Sequence, residues 1–491
     1  MDENNSIPHV QADTPVSDKM PGAAAWMDRV AAEIGCVSQD INPDSVHDLR
    51  VALRRCLSIA DVHMAFDPLK TWGEMKKRGR KLFKRLGDLR DNQVLQEWLE
   101  LLGISQNSAG LAMAACLSER EARLRIQAEK AVRRFNLKKW GKLRTRLTEK
   151  SALAPLEDLI SQHFAFECWQ VARNLHCQAL RNRSRIAYHR LRIGLKRFRY
   201  TVENFLPQQH EEWEKNLKQC QNLLGEIHDL SVLWRTALRL GALSDCEVRS
   251  QWRAKIDAEI QARIQAYREI AMGKGSVWSV WRAGLPSGQE LERAAEARIR
   301  LWASFRDPEF ARTLEVAEVA VQLYDGLERI RIIAPMATID VRSVLRIAAL
   351  MRNAGSKGGA KRGGKTTYRR IAKAKAPMGL PSEICRLAAW TARYQRGTIR
   401  KAIAGRLAIL PDDRRRSISL AAAILCLANA LAGHDEMRIH NVEVGRDDNV
   451  VVIFAEGYRE NETLAYKLAA ARYPLELACQ ASIAIRSLPE S

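Results

Sequence analysis

The stretch YHRLRIGLKRFRYTVENFL (188–206) decides how this chain is read, because it has a counterpart elsewhere in the same sequence. VHDLRVALRRCLSIADVHMAF (46–66) can be laid over it with His47 on His189, Leu49 on Leu191 and Arg50 on Arg192. The register continues with Leu53 on Leu195, Arg54 on Lys196 and Arg55 on Arg197. Farther along, LGDLRD (86–91) can be laid over LGEIHD (224–229). Two ordered matches at similar separation indicate a duplicated unit. Apolar residues recur at three- and four-residue spacing in both copies, which predicts amphipathic helices.

The polar side of the repeat carries its chemistry. At about 100° per residue, His189, Arg192, Lys196 and Arg199 fall on one narrow helix face with Tyr200 beside them. His47, Arg50 and Arg54 do the same in the first copy, where Ser58 stands near the place of Tyr200. Like charges one turn apart cost roughly 0.2–0.5 kcal/mol per pair in an isolated helix, so a repeated stripe predicts a compensating anion. Lys70, Lys77, Lys81 and Lys84 share a further helical face, and Arg90 lies within LGDLRD. Lys218 precedes Gly225 by the same interval as Arg80 precedes Gly87. Two pseudo-equivalent basic helix pairs are expected to line a groove or channel, arginine gripping phosphate oxygens in pairs and lysine acting as a point charge. No carboxylate pair, nucleophile–base pair or metal-ligand spacing accompanies the stripe. No catalytic residue, metal or cofactor is therefore expected.

The bulk composition agrees. Across 491 residues, 79 Lys and Arg stand against 57 Asp and Glu, a net charge of +22. Such an excess points to a polyanionic partner: nucleic acid, anionic lipid or a phosphate polymer. The charge is clustered, with eight Lys/Arg and no acid between Arg181 and Arg199, and ten with no acid between Arg346 and Lys375. No long uninterrupted apolar run is present, so no membrane association is expected. The acidic, polar start MDENNSIPHVQADTPVSDKMPG lacks the character of a signal peptide, and the ten cysteines are scattered without C-x-x-C, so a cytoplasmic location is expected.

The fold expected is mainly α: a loose tail over 1–21, then helical halves over about 22–150 and 151–285. The Gly-, Ser- and Pro-containing segment near AMGKGSVWSVWRAGLPSGQE suggests a linker over 286–304, before a second domain over 305–491. In that domain MRIHNVEVGRDDNVVVIFAEG (437–457) predicts two strands around a turn.

With these pieces assembled, VHDLRVALRR, LGDLRD, HRLRIGLKRFRY and LGEIHDLSVL resemble the CHAD family, the conserved-histidine α-helical domain, over residues 22–285. The resemblance implies two pseudo-symmetric helical halves that bind inorganic polyphosphate through a basic surface. It carries the family's basic and histidine positions onto His47, Arg50, Arg54, Arg55, His189, Arg192, Lys196, Arg197 and Arg199, and less directly onto the intervening lysines. The family's frequent companion, a triphosphate-tunnel domain with E-x-E-x-K, has no counterpart here.

The second half is similar, through EVAEVAVQLYDGL, VLRIAALMRNAG, GLPSEICRLAAWTARYQR and LAAAILCLANAL, to the C-terminal HD-type helical domain of exopolyphosphatase and guanosine-pentaphosphate phosphohydrolase proteins. That resemblance implies a metal site of His and Asp ligands. Arg352 and Asn353 stand where a His-Asp pair is expected, Gln395 where histidine is expected and Asn429 where aspartate is common. Amide and cationic side chains do not assemble such a site, so a degenerate, non-catalytic domain is implied.

The reading expected is thus a non-catalytic polyphosphate-binding protein, a granule-associated scaffold or a sensor. A nucleic-acid-binding protein using the same basic surface is the alternative, although the stripes hold few aromatics for base stacking, namely Phe83, Tyr188 and Phe198. A polyphosphate-processing enzyme is the third reading. GGAKRGGKTT (358–367) fits G-x-x-x-x-G-K-[ST], the phosphate loop of nucleotide-binding enzymes. That loop should follow a buried strand. Here the preceding VRSVLRIAALMRNAG reads as helix, so the match is taken as fortuitous. A basic loop is expected instead, with Lys361, Arg362 and Lys365 as a secondary contact for the polymer.

Overall fold

The computed structural model of the protein describes residues 22–104, 108–153, 157–243, 245–334, 336, 338–355, 363–396, 405–432, 439–448, 450–459 and 462–488. The described residues are mainly helical, with a small sheet near the C-terminus. They form two compact units, one of residues to Val62 with Leu69–Gly284 and the other of His63–Pro68 with Leu285–Ser491.

The first unit contains α1 (Ala23–Gln39), α2 (Pro43–His63), α3 (Lys70–Leu101), α4 (Ser108–Arg133) and α5 (Leu137–Leu153). The series α6 (Asp158–Asn182), α7 (Arg185–Phe205), α8 (Pro207–Arg239), α9 (Cys246–Ala271) and α10 (Val277–Ala283) follows the same order. The duplication sets matching lengths: α2 and α7 have 21 residues each, α4 and α9 have 26, and α3 and α8 have 32 and 33. It also sets matching burial, since Leu49 and Leu53 are fully buried like their counterparts Leu191 and Leu195. Even the helix ends repeat. Gly103 after α3 and Gly241 after α8 both have left-handed φ, 59° and 70°, a conformation glycine adopts without steric cost. In each case the next amide bonds back into the last turn, Ile104 to Leu99 and Ala242 to Ala237.

Each half has its own apolar core. Met27, Leu53, Trp72, Leu86 and Trp140 are buried in the first, and the Trp140 indole N–H donates to the Met27 carbonyl at 3.0 Å. Phe198 packs against Trp213 and Trp281 in the second, beside a buried cluster where the Tyr267 hydroxyl meets His176 Nδ1 at 2.8 Å and accepts from Trp278 at 3.3 Å. Gly194 lets α7 approach α6 closely, because a Cβ there would stand 2.7 Å from Leu175. Ser184 caps α7 by accepting from the Ala187 amide. These contacts fix the rotation of α7 about its axis, and with it the direction of the basic stripe.

The second unit holds α11 (Gly288–Ser304), α12 (Phe310–Arg329), α13 (Val341–Leu350), α14 (Gly363–Lys373), α15 (Ser382–Tyr394) and α16 (Asp412–Ala432). After them come β1 (Val442–Asp447), β2 (Val450–Ala455), α17 (Glu462–Cys479) and β3 (Ser482–Ser487). Beyond its charged first residues DDRRR, helix α16 is mostly apolar, and Ile418, Ala421, Ile424, Leu425 and Leu431 are all buried in this unit's core. The expected strand pair is present as antiparallel β1 and β2. A third strand, β3, pairs parallel to β2.

Two expectations need correction. Residues 286–304 are not a linker, since α11 occupies Gly288–Ser304 and buries Ala294, Ala295 and Ile299. The basic loop is partly helix, because α14 begins at Gly363 and places Lys365 on an exposed turn. Lys361 and Arg362 lie outside the described residues. The element before this stretch is helix α13 and not the strand that a phosphate loop follows. Two residues of the stretch make close packing contacts. A Cβ at Gly364 would stand 2.6 Å from the Arg393 carbonyl, and the Thr367 hydroxyl accepts from the Gly355 amide at 3.1 Å.

Candidate functional site

The two basic stripes face one cleft of about 700 Å³ within the first unit. Helix α2 contributes Arg50 and Arg54, α3 contributes Arg80 and Lys84, and α7 contributes Arg192, Lys196, Arg197 and Tyr200. Seven Lys and Arg side chains thus line the cleft against three carboxylates, Asp61, Asp88 and Asp91. One of the three, Asp61, is paired with Lys76. The remaining balance is strongly positive, and low-dielectric walls on both sides concentrate that field.

Aromatic rings hold the guanidinium groups in place. Arg50 lies over Phe83 at 5.0 Å from the ring centre, and Arg54 crosses to the second half to lie over Tyr200 at 5.2 Å. Gly87 makes room for Arg50, whose Nη1 would stand 2.9 Å from a Cβ at that position. This gives the LGDLRD glycine a physical role. The second copy does not repeat it, since Gly225 has open space around it. Nη1 of Arg50 and Nε of Arg192 are buried without a hydrogen-bond acceptor. Buried donors left in that state normally cost about 1–3 kcal/mol each, so the cleft has unsatisfied capacity for an anion's oxygens.

The charge density shows in the titrating groups. Burial, then Arg192 and Arg54, push the Lys196 ammonium down to about 7. Burial raises the Asp229 carboxyl to about 6, against the pull of Arg192. Burial likewise raises the Asp91 carboxyl, against the pull of Arg50 and Arg192. These are the final aspartates of LGEIHD and LGDLRD, and both couple to cations of the stripes.

The other sequence-predicted residues fall into different environments. Arg55 and Arg199 point away from the cleft to the buried carboxylate of Glu203, at 3.2 and 2.7 Å. Burial would raise that carboxyl, but His210 at 3.8 Å and the two guanidinium groups outweigh it and hold Glu203 at about 2. Arg55 also donates to Asn204 at 3.1 Å and lies over Trp26. Arg90 pairs with Glu97 at 2.8 Å. His47 is exposed on the turn before Arg50, and Lys77 and Lys218 are exposed on α3 and α8. His189 does not line the cleft itself. Its Nδ1 meets Nδ1 of His228 at 3.0 Å with the rings stacked, and His228 lines the cleft. Burial, then Arg192 and His189, push His228 down to about 3. His228 escaped the sequence reading, although it stands in LGEIHD where the first copy has Arg90.

In the second unit the positions read as substituted metal ligands do come together. Arg352 Nε donates to the Thr313 hydroxyl at 3.1 Å, and its Nη1 donates to Asn429. Gln395 donates to the Arg352 carbonyl at 2.9 Å and accepts from Asn429 at 3.3 Å. Thr313 in turn donates to the buried Asp307 at 2.5 Å, and Asn353 reaches Thr313 at 3.4 Å. Among the described residues, no three His, Cys, Asp or Glu side chains are grouped as a metal site would require.

Both halves of the duplicated helical unit thus turn basic side chains into one cleft. Residues 23–238 match the family model of the CHAD domain. The match ends within α8, while α9 and α10 belong to the same compact unit and complete its second half. No curated protein matches the chain.

Proposed function

We propose that the protein binds inorganic polyphosphate without catalysing its turnover, using the cleft between the two halves of its CHAD domain. The observation that carries this reading is the convergence of Arg50, Arg54, Arg192 and Lys196 from both repeats, with buried guanidinium nitrogens lacking acceptors. Phosphate oxygens supply such acceptors, and a linear polymer supplies them at regular intervals to both halves at once. Nucleic acid fits the site less well. Of the aromatic side chains at the cleft, Phe83 and Tyr200 are covered by Arg50 and Arg54, and Phe164 is 6% exposed, so little ring surface is open for stacking on bases.

The second unit fits a degenerate HD-type domain. Its resemblance-derived ligand positions carry Arg352, Asn353, Gln395 and Asn429, whose polar atoms bond within the protein. A scaffold or sensor role on cytoplasmic polyphosphate granules follows from this combination of a binding cleft and a non-catalytic partner domain.

Competition tests the reading. Long-chain polyphosphate should stay bound to the full chain under an excess of duplex DNA or RNA at one fixed salt concentration, and should weaken as salt rises. Displacement by DNA at equal phosphate concentration argues for a nucleic-acid-binding protein instead. Release of orthophosphate with added Mg²⁺ or Mn²⁺, abolished by changing one residue, would overturn the non-catalytic part.

A further inference from the structure

Helix α3 carries a second basic pocket that the cleft does not use. Its volume is about 660 Å³, and Arg78, Lys81, Arg85, Lys130 and Arg134 line it together with Phe135 and Asn136. No carboxylate lines it, and it shares no lining residue with the cleft. The separation follows from helix geometry. Arg80 and Lys84 point to the cleft, whereas Arg78, Lys81 and Arg85, at i, i+3 and i+7, form another face of the same helix.

Most of these cations have no charge partner. Arg85 approaches Asp88 at 4.0 Å and donates to Gln127 at 3.2 Å. Arg78, Lys81, Lys130 and Arg134 make no ion pair or side-chain hydrogen bond among the described residues. Five neighbouring positive charges repel one another in the empty pocket.

The duplication provides an internal control for whether the fold itself needs them. In the register that sets Leu86 on Leu224, Arg78, Lys81 and Arg85 correspond to Asn216, Gln219 and Leu223. In the burial register that sets Ala128 on Tyr267 and Val132 on Ala271, Lys130 corresponds to Glu269. The same helices pack in the second half with neutral or acidic side chains at these places. The cation cluster is therefore not a by-product of the architecture.

We propose that this pocket is a second anion site, taking a short chain of phosphates such as inorganic tripolyphosphate or the triphosphate of a nucleotide. It is independent of the cleft reading, since the two sites share no residue. Five cations match the charge of three linked phosphates, and the absence of a lining carboxylate leaves no internal competitor for them.

Calorimetric titration of the full chain with tripolyphosphate tests it. Two binding events are expected in the wild type. Lys81→Gln with Arg85→Gln and Lys130→Gln should weaken one of them at least about tenfold and leave the other in place. These three side chains are exposed, so the circular dichroism melt should not move. Arg54→Gln with Arg192→Gln should remove the other event only, which keeps failure of the cleft distinct from failure of this pocket. Titration with ATP separates the sources: equal affinity assigns recognition to the phosphate chain, and tighter ATP binding adds a nucleoside contact at Phe135. A single event in the wild type that the Lys81, Arg85 and Lys130 variant leaves unchanged overturns the proposal.

Discussion

Arg55 of the first repeat and Glu203 of the second are joined by an ion pair of 3.2 Å, and Arg199 holds the same carboxylate at 2.7 Å. The pair binds the two halves to each other at a point beside the cleft. It also divides the stripe. Arg50, Arg54, Arg192 and Lys196 remain available to an anion, whereas Arg55 and Arg199 are already compensated.

Glu203→Gln should therefore destabilise the first unit while sparing ligand contacts. Removing one member of a fully buried pair costs about 3–5 kcal/mol. The two guanidinium groups are partly exposed, so a loss of about 2–3 kcal/mol is expected. Glu203 is held below its ordinary range, so its contribution is fully present above about pH 4.5 and disappears as pH falls toward about 2. Chemical denaturation of the variant at neutral and acid pH checks both statements: the difference from wild type should shrink on acidification.

The glycines of the repeated motif separate packing from binding. Gly87→Ala places a methyl group against the flexible end of Arg50, so it should lower polyphosphate affinity several-fold while helix propensity favours the folded state. Gly225→Ala meets open space, and should stabilise by about 0.5–1 kcal/mol with affinity unchanged. Paired melts and binding isotherms of the two variants read the contrast.

Affinity for polyphosphate should depend on pH through Lys196. Its ammonium titrates near 7 in the empty cleft, and a bound anion favours the charged form. Binding should then take up protons near neutral pH, and affinity should fall as pH rises from about 6 to about 8.5. Asp229, raised to about 6, reinforces the trend by losing its negative charge on acidification. Without ligand the sign for stability is opposite. The unfolded chain keeps Lys196 protonated up to about pH 10.5, so its depressed folded value makes stability rise with pH between about 7 and 10. Titrations of wild type and Lys196→Arg in buffers of different ionisation enthalpy measure the proton uptake, which the arginine variant should lose.

Thr313→Val probes the polar network of the second unit. The hydroxyl is fully buried, accepts from Arg352 and donates to Asp307, so its loss leaves both without that partner. A cost of about 1–3 kcal/mol is expected, read as a lower melting temperature of this unit with polyphosphate affinity unaffected.

Much of this was legible in the residues. The overlay of His47 on His189 and Leu86 on Leu224 located the paired helices, because buried leucines and surface cations keep their spacing through a duplication. The periodicity of α7 could not distinguish Arg199 from Arg192, since a helical wheel shows which residues share a face and not which carboxylate stands across from it. Glu203 and Arg55 are 148 positions apart, and only the packing of the halves makes them neighbours. His228 was hidden by its replacement of Arg90, a change of residue type within an otherwise matched motif. The stretch after Gly288 was obscured by the Gly and Pro residues just before it, although GQELERAAEARIRLWAS has a helix's apolar spacing. Strand β3, SIAIRS, is short and gains its stability from pairing with β2, which local sequence does not report.

The affinity of the full chain for long-chain polyphosphate after neutralising the cleft is the most direct test of polyphosphate binding there. Arg54→Gln, Arg192→Gln and Lys196→Gln together remove three charge-assisted contacts, and binding at fixed salt should weaken at least about a hundredfold with the melting temperature preserved. Unchanged affinity in a folded variant would contradict the assignment of the cleft as the principal site.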